Sequence, residues 1–131
     1  FSKSYGKDLS QMKIFVIGFA FKGNPETSDT RQSSTLDVTN KLRQLTTNIF
    51  GYDPVLNQNA FQQFNVMPVD LETGFKNADC VLIMNNHSSY SNFDIYHFLS
   101  KTNKPSLFFD GWGIFGKKVI QQIDHVLYET I

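Results

Sequence analysis

The sequence predicts a doubly wound α/β domain, with a mostly parallel sheet of about six strands and helices on both faces. Three observations lead there. Short apolar runs rich in β-branched and aromatic residues alternate with amphipathic helical stretches, the pattern of repeated strand–helix–strand units. No internal repeat, low-complexity tract or linker divides the 131 residues, so a single domain carries the pattern. Apolar residues make up 40% and charged residues 18%, which supplies a core and argues against disorder.

Each element has its own signal. Lys13 to Phe21 is apolar nearly throughout and predicts a strand buried on both faces. The polar residues 23–33 read as a loop. Ser34 is placed to cap the helix that follows, with Asp37 in its first turn and Val38, Leu42 and Leu45 along one face. Asn48 to Tyr52 is a second strand stopped by Asp53-Pro54, and a short helix carries Ala60, Phe61 and Phe64. Val66 to Val69 is a brief third strand whose proline assigns it to a sheet edge. Asp70 can cap a short helix bearing Leu71 and Phe75, and Cys80 to Met84 is a fourth, buried strand. A helix over residues 92–100 buries some of Phe93, Ile95, Phe98 and Leu99. Pro105 to Phe109 is a fifth strand ending at Asp110-Gly111, Lys117 to Ile123 is helical, and Val126 to Tyr128 is a sixth strand. Residues 1–11 are polar and read as a lead-in from an upstream domain, leaving 12–131 as the domain proper.

Composition removes several function classes. Twelve Lys and Arg balance twelve Asp and Glu, so there is no electrostatic footprint for nucleic acid. One cysteine, Cys80, excludes an intrachain disulfide framework and a cysteine-rich zinc module. No apolar run reaches the roughly 20 residues that span a bilayer. No secretory leader pattern opens the chain, and a reducing cytoplasm is the expected compartment.

Ligands of open α/β sheets bind beyond the carboxyl ends of the strands, where the strand order reverses. For the order 3-2-1-4-5-6 that point lies between strands one and four. The residues leaving those strands are Phe21, Lys22 and Gly23, then Asn85, Asn86 and His87, with Asp110, Gly111 and Trp112 nearby. A lysine, amides, an imidazole and aromatic faces suit a ligand with phosphate and a planar base. Polar loops also follow every strand, so pattern alone leaves a site and a plain loop cluster equally open. The run Gly18 to Gly23 resembles a dinucleotide fingerprint, but the fingerprint turns straight into a helix and here a long loop precedes Ser34. An ordinary dinucleotide site is therefore not expected.

Other chemistry is weaker. His87, His97 and His125 lack metal-ligand spacing. Cys80 sits inside an apolar strand, where an inert core thiol is expected. Asp29 and Asp53 admit a phosphoacceptor reading, but that fold wants an acidic pair after strand one, and this chain has Phe21-Lys22.

The segment Ile17-Gly18-Phe19-Ala20-Phe21-Lys22-Gly23 followed by Ser28-Asp29-Thr30-Arg31-Gln32-Ser33 resembles the signature that opens the C-terminal, UDP-binding domain of the UDP-glucose/GDP-mannose dehydrogenase family. Tyr52-Asp53-Pro54, Ala78-Asp79, Asn86 to Tyr90 and Asp110-Gly111 match further segments in the same order, so the resemblance covers roughly residues 12–128. It implies a Rossmann-like fold in an enzyme that takes a nucleotide-diphosphate sugar from C6 alcohol to carboxylate by two NAD-dependent hydride transfers. It implies that Phe21, Lys22, Asp110 and Trp112 face the UDP-sugar and that Arg31 reaches NAD held on another domain. Trp112 stands where the family commonly has an arginine at the nucleotide ribose, and residues 24–28 form a longer loop than the common pattern. The family's NAD-binding fingerprint and catalytic cysteine belong to upstream domains, an N-terminal NAD-binding domain and a central helical one. The resemblance therefore implies a catalytically inactive isolated chain, monomeric or weakly associated, within a full enzyme that dimerises. A standalone nucleotide-binding or regulatory module without catalysis is the competing reading, and a purely structural domain is a third.

Overall fold

The computed structural model describes residues 1–19 and 34–130. Six strands form one sheet in the order β3-β2-β1-β4-β5-β6. They are β1 (Ile14–Ile17), β2 (Ile49–Tyr52), β3 (Met67–Pro68), β4 (Cys80–Ile83), β5 (Ser106–Asp110) and β6 (Val126–Thr130). Every pairing is parallel, with Ile17 opposite Tyr52 on one side and Ile83 on the other. The helices are α1 (Ser2–Tyr5), α2 (Ser34–Arg43), α3 (Leu71–Phe75), α4 (Ile95–Ser100) and α5 (Lys117–Ile120), with 3₁₀ turns at Leu9–Gln11, Gln58–Phe64 and Ser88–Asn92.

The period-two alternation of β1 divides the core. Phe15 and Ile17 join an apolar cluster with Phe75, Leu99, Phe108 and Ile120 beneath α3, α4 and α5. Ile14 and Val16 join Phe19, Ile49, Phe61 and Phe64 on the opposite face, against which Leu36 and Leu42 of α2 pack. All four β1 residues are buried, as a central parallel strand requires. Pro68 lies in the edge strand β3, where its missing N–H leaves no gap in an interior ladder.

Boundaries depart from expectation where side chains intervene. β1 ends at Ile17 because Gly18 takes φ +101°, and Phe19 turns its ring over Gly51 onto Phe61 and Phe64. Ser34 is the first residue of α2 rather than its cap. The face of α2 turned inward carries Thr35, Leu36, Thr39 and Leu42 rather than Val38, Leu42 and Leu45, and Leu45 is half exposed beyond the helix end. The Thr35 hydroxyl donates to the Gly18 carbonyl at 2.8 Å and sets this rotation. The single helix expected over 92–100 is a 3₁₀ turn followed by α4, restarted by Asp94, whose carboxylate accepts the His97 N–H. β5 extends through Asp110, and α5 stops at Ile120.

The lead-in is tied down. Lys7 Nζ donates to Asp79 Oδ1 and to the Pro105 carbonyl, both at 2.8 Å, and Phe1, Leu9 and Met12 pack on the second cluster. Among the described residues no helix is long and apolar enough to cross a membrane.

Candidate functional site

Among the described strands the order reverses once, seen from the carboxyl edge of the sheet: from β1 the chain crosses outward to β2, and from β4 it crosses the other way to β5. β1 and β4 are neighbours there. Ladder bonds continue to the last turn of each, from Met84 N–H to the Ile17 carbonyl at 2.8 Å and from Gly111 N–H to the Ile83 carbonyl at 3.0 Å.

A buried polar network lies directly beneath this edge. Asp53, just after β2, accepts the Phe19 N–H through Oδ2 at 2.7 Å and the Val55 N–H through Oδ1 at 2.9 Å. Asn85, just after β4, donates from Nδ2 to Asp53 Oδ2 at 3.3 Å and accepts the Tyr90 hydroxyl on Oδ1 at 2.6 Å. Asp53, Asn85 and Tyr90 are all buried. Burial, with the charge of Asp53 adding to it, drives the Tyr90 phenol far above its ordinary value, so it stays a donor. His87 caps the following 3₁₀ turn, its Nδ1 accepting the Ser89 N–H at 3.1 Å.

Trp112 stands at the same edge. Its indole N–H donates to the Met84 carbonyl at 3.2 Å, and 52% of the residue remains exposed. The indole is thereby oriented across the ends of β4 and β5 with aromatic surface open to a ligand. Asp110 is placed differently: as the last residue of β5 it is fully buried. Its Oδ2 accepts the Phe115 N–H at 2.9 Å and the Tyr128 hydroxyl at 2.8 Å, while Oδ1 has no hydrogen-bond partner among the described residues. Asp110 therefore closes the β5–α5 turn from within the fold and offers no exposed atom to a ligand. Phe21, Lys22 and Arg31 lie outside the described residues, as does the loop at 24–28.

Beside the switch point, a hollow of about 500 Å³ opens between the ends of β2 and β3, with Tyr52, Asp53, Leu56, Phe61, Val69 and Asp70 among its walls. Sequence patterning did not single it out. The Asp53-Pro54 stop after a short strand and the edge proline Pro68 were its available signals, and neither reports depth. Asp70 is engaged in capping α3, accepting the Thr73 N–H at 2.7 Å.

Of the residues after β1 that would meet a dinucleotide pyrophosphate, Gly18 and Phe19 are described. In that fit the N–H groups after the strand and at the helix start point at the phosphates. Here the Phe19 N–H is held by a buried carboxylate, and α2 begins only at Ser34. No cluster of three or more His, Cys, Asp or Glu able to hold a metal occurs among the described residues. Cys80 is buried, and desolvation pushes its thiol up to about 12. His97 pairs with Glu72 at 2.6 Å on the surface.

Comparison with known proteins agrees with this geometry. Over 92% of its length the chain is 25% identical to UDP-glucose 6-dehydrogenase 2 of Arabidopsis thaliana, and over 66% it is 28% identical to the UDP-N-acetyl-D-mannosamine dehydrogenase of Methanococcus vannielii. It spans about 30% of the length of the first of these relatives and 18% of the second. The fold superposes with a TM-score of 0.82 on the NDP-N-acetyl-D-galactosaminuronic acid dehydrogenase of Methanosarcina mazei, at 20% identity, covering 99% of this chain and 26% of that one. The UDP-N-acetyl-mannosamine dehydrogenase of Staphylococcus aureus aligns at 28% identity with a TM-score of 0.65, covering 98% of this chain and 28% of that one. The model of the UDP-glucose/GDP-mannose dehydrogenase family, UDP binding domain, matches residues 15–117, a span that takes in the exits of β1, β2, β4 and β5. By that match, on a Rossmann-like sheet with its switch point between β1 and β4, the chain belongs to the UDP-glucose/GDP-mannose dehydrogenase family as a UDP-binding domain.

Proposed function

We propose that this domain holds the nucleotide-sugar substrate, a UDP-sugar, of an NAD-dependent nucleotide-sugar 6-dehydrogenase of the cytoplasm that oxidises the C6 alcohol to the uronic acid. The observation that carries the reading is the family match across 15–117, which includes every strand exit at the switch point. Lys22 sets a point charge against substrate oxygens, with Phe21 beside it. Trp112 offers its indole face to the nucleotide, where an arginine is common in the family. Asp110 acts on the substrate only indirectly, by fixing the turn that carries Gly111 and Trp112. NAD supplies the hydride acceptor when bound, its pyrophosphate held by parts of the enzyme outside this chain, with Arg31 reaching toward it. An N-terminal NAD-binding domain and a central helical domain are the intramolecular partners, and the full enzyme is a homodimer. The chain alone binds substrate without turning it over.

Calorimetric titration with UDP-glucose, UDP and GDP tests the reading: binding of the uridine ligands without NAD reduction is expected, and no binding of any of the three defeats it. In the full dehydrogenase, Lys22→Ala should lower kcat/KM for the sugar nucleotide roughly 10–150-fold, the worth of a charge-assisted hydrogen bond. Arg31→Ala should weaken NAD more than the sugar, and wild-type kinetics in both variants would remove both residues from the site.

A further inference from the structure

We infer that Asn85 is a positioning residue for nucleotide-sugar binding, its carboxamide clamping the exits of β1, β2 and β4 to one another. The inference rests on the function proposed above and adds the device that holds its site in shape.

Asn85 is 1% exposed. Its two ends have opposite roles: Nδ2 donates to the Asp53 carboxylate at 3.3 Å, and Oδ1 accepts from Tyr90 at 2.6 Å. Because Asp53 Oδ2 also accepts the Phe19 N–H at 2.7 Å, one planar amide and one carboxylate link residues one or two positions beyond three strands. The amide cannot flip without facing its own oxygen to a carboxylate and its NH₂ to a hydroxyl that has to donate. Aspartate there would set a second negative charge against Asp53. An apolar isostere would leave the Tyr90 hydroxyl without the acceptor it now uses. Gly18 makes the room: a β-carbon on it would stand 2.5 Å from Asn85 Oδ1, and its φ of +101° suits only glycine.

Location separates this clamp from general cohesion. Both faces of the sheet are held by apolar clusters, and a different polar set, Lys7, Asp79 and Asn103, serves the amino ends of the strands. The Asn85 network lies at the edge where ligands bind. Its neighbour in sequence, Met84, gives the carbonyl that orients Trp112. Buried polar networks select one arrangement where apolar packing tolerates several, and displacement of a binding group by about 1 Å is enough to lose much of its effect.

The test is a titration of the isotope-labelled chain with UDP-glucose, followed by amide NMR, which reports folding and affinity together. Tyr90→Phe keeps the buried ring and removes only the hydroxyl, while Asn85→Ser removes the clamp. Thr102→Val is the control, deleting a buried hydroxyl that bonds Leu99 and Ser106 far from the ligand edge. Tyr90→Phe is expected to raise Kd about three- to tenfold and Asn85→Ser to raise it further, with Thr102→Val unchanged. Unchanged Kd in both clamp variants, or an equal loss in Thr102→Val, overturns the positioning role alone. An unmodified chain that gives no shifts with UDP-glucose overturns the underlying function, and the clamp's role with it. Should Asn85→Ser fail to fold, Tyr90→Phe decides.

Discussion

Lys7 and Asp79, 72 positions apart in sequence, meet at 2.8 Å where the amino ends of β1, β4 and β5 converge. The same carboxylate accepts the Lys13 N–H at 2.9 Å and the Asn103 side chain at 3.0 Å, and Lys7 also donates to the Pro105 carbonyl. Residues 1–11 are thus fastened to the domain rather than trailing from it.

Removing that fastening should be measurable. Lys7→Met leaves a buried carboxylate short of its cation and should destabilise the chain by about 1–3 kcal/mol in urea unfolding. The pH dependence has a definite sign. Burial pushes the Asp79 carboxyl up, but hydrogen bonds from Lys7, Asn103 and the Lys13 N–H, with the charge of Lys7, outweigh it and leave the acid below its ordinary value. Such a group contributes stability above its unfolded value of about 3.9 and loses it as pH falls through the lower folded value. Asp79→Asn should therefore flatten the acid limb of the stability profile, and an unchanged limb would remove Asp79 as its source.

Tyr128 gives the alkaline counterpart. Burial first, then the hydrogen bond to Asp110 and its charge, pushes the phenol up to about 12. Its contribution is fully present below the unfolded value of about 10 and disappears as pH rises through the folded one. Tyr128→Phe should cost about 1 kcal/mol at neutral pH, where it takes one of the two donors from Asp110 Oδ2, and should abolish this alkaline loss. Phenolate absorbance with unfolding curves at rising pH checks both.

Cys80 should not react in the native chain. The thiol is buried and its thiolate strongly disfavoured. Labelling by a disulfide reagent at neutral pH should proceed only as fast as unfolding exposes β4, rising in step with urea. Rapid labelling without denaturant would show that the β4 face opens locally.

Trp112 is the chain's one tryptophan, so indole fluorescence reads the switch point without background. A nucleotide stacking on it should quench or shift the emission saturably. Trp112→Phe should weaken UDP-glucose by about 0.5–1.5 kcal/mol where stacking carries the contact. Saturable binding with unmoved emission would place the base elsewhere.

Sequence alone determined the architecture. Apolar runs such as Ile14–Ile17 and Cys80–Ile83, separated by helical spacings, admit only a covered parallel sheet, and Pro68 identified the edge. The strand order itself, β3-β2-β1-β4-β5-β6, came from the folded chain, since right-handed crossovers are compatible with more than one doubly wound order. The motif from Ile17 to Ser33, read in order with Tyr52-Asp53-Pro54 and Asn86 to Tyr90, identified the family. Among the described residues, tertiary structure alone decided which polar side chains are buried. The family resemblance implies one role for Asp110 and Trp112, two positions apart, yet Asp110 is fully buried beneath the turn while Trp112 remains half exposed. It also decided that Asp53, Asn85 and Tyr90 form one network and that Lys7 pairs with Asp79. Periodicity reports which side of its own element a residue occupies. Whether a polar side chain there meets solvent or a partner depends on residues distant in sequence, and only the folded chain brings those together.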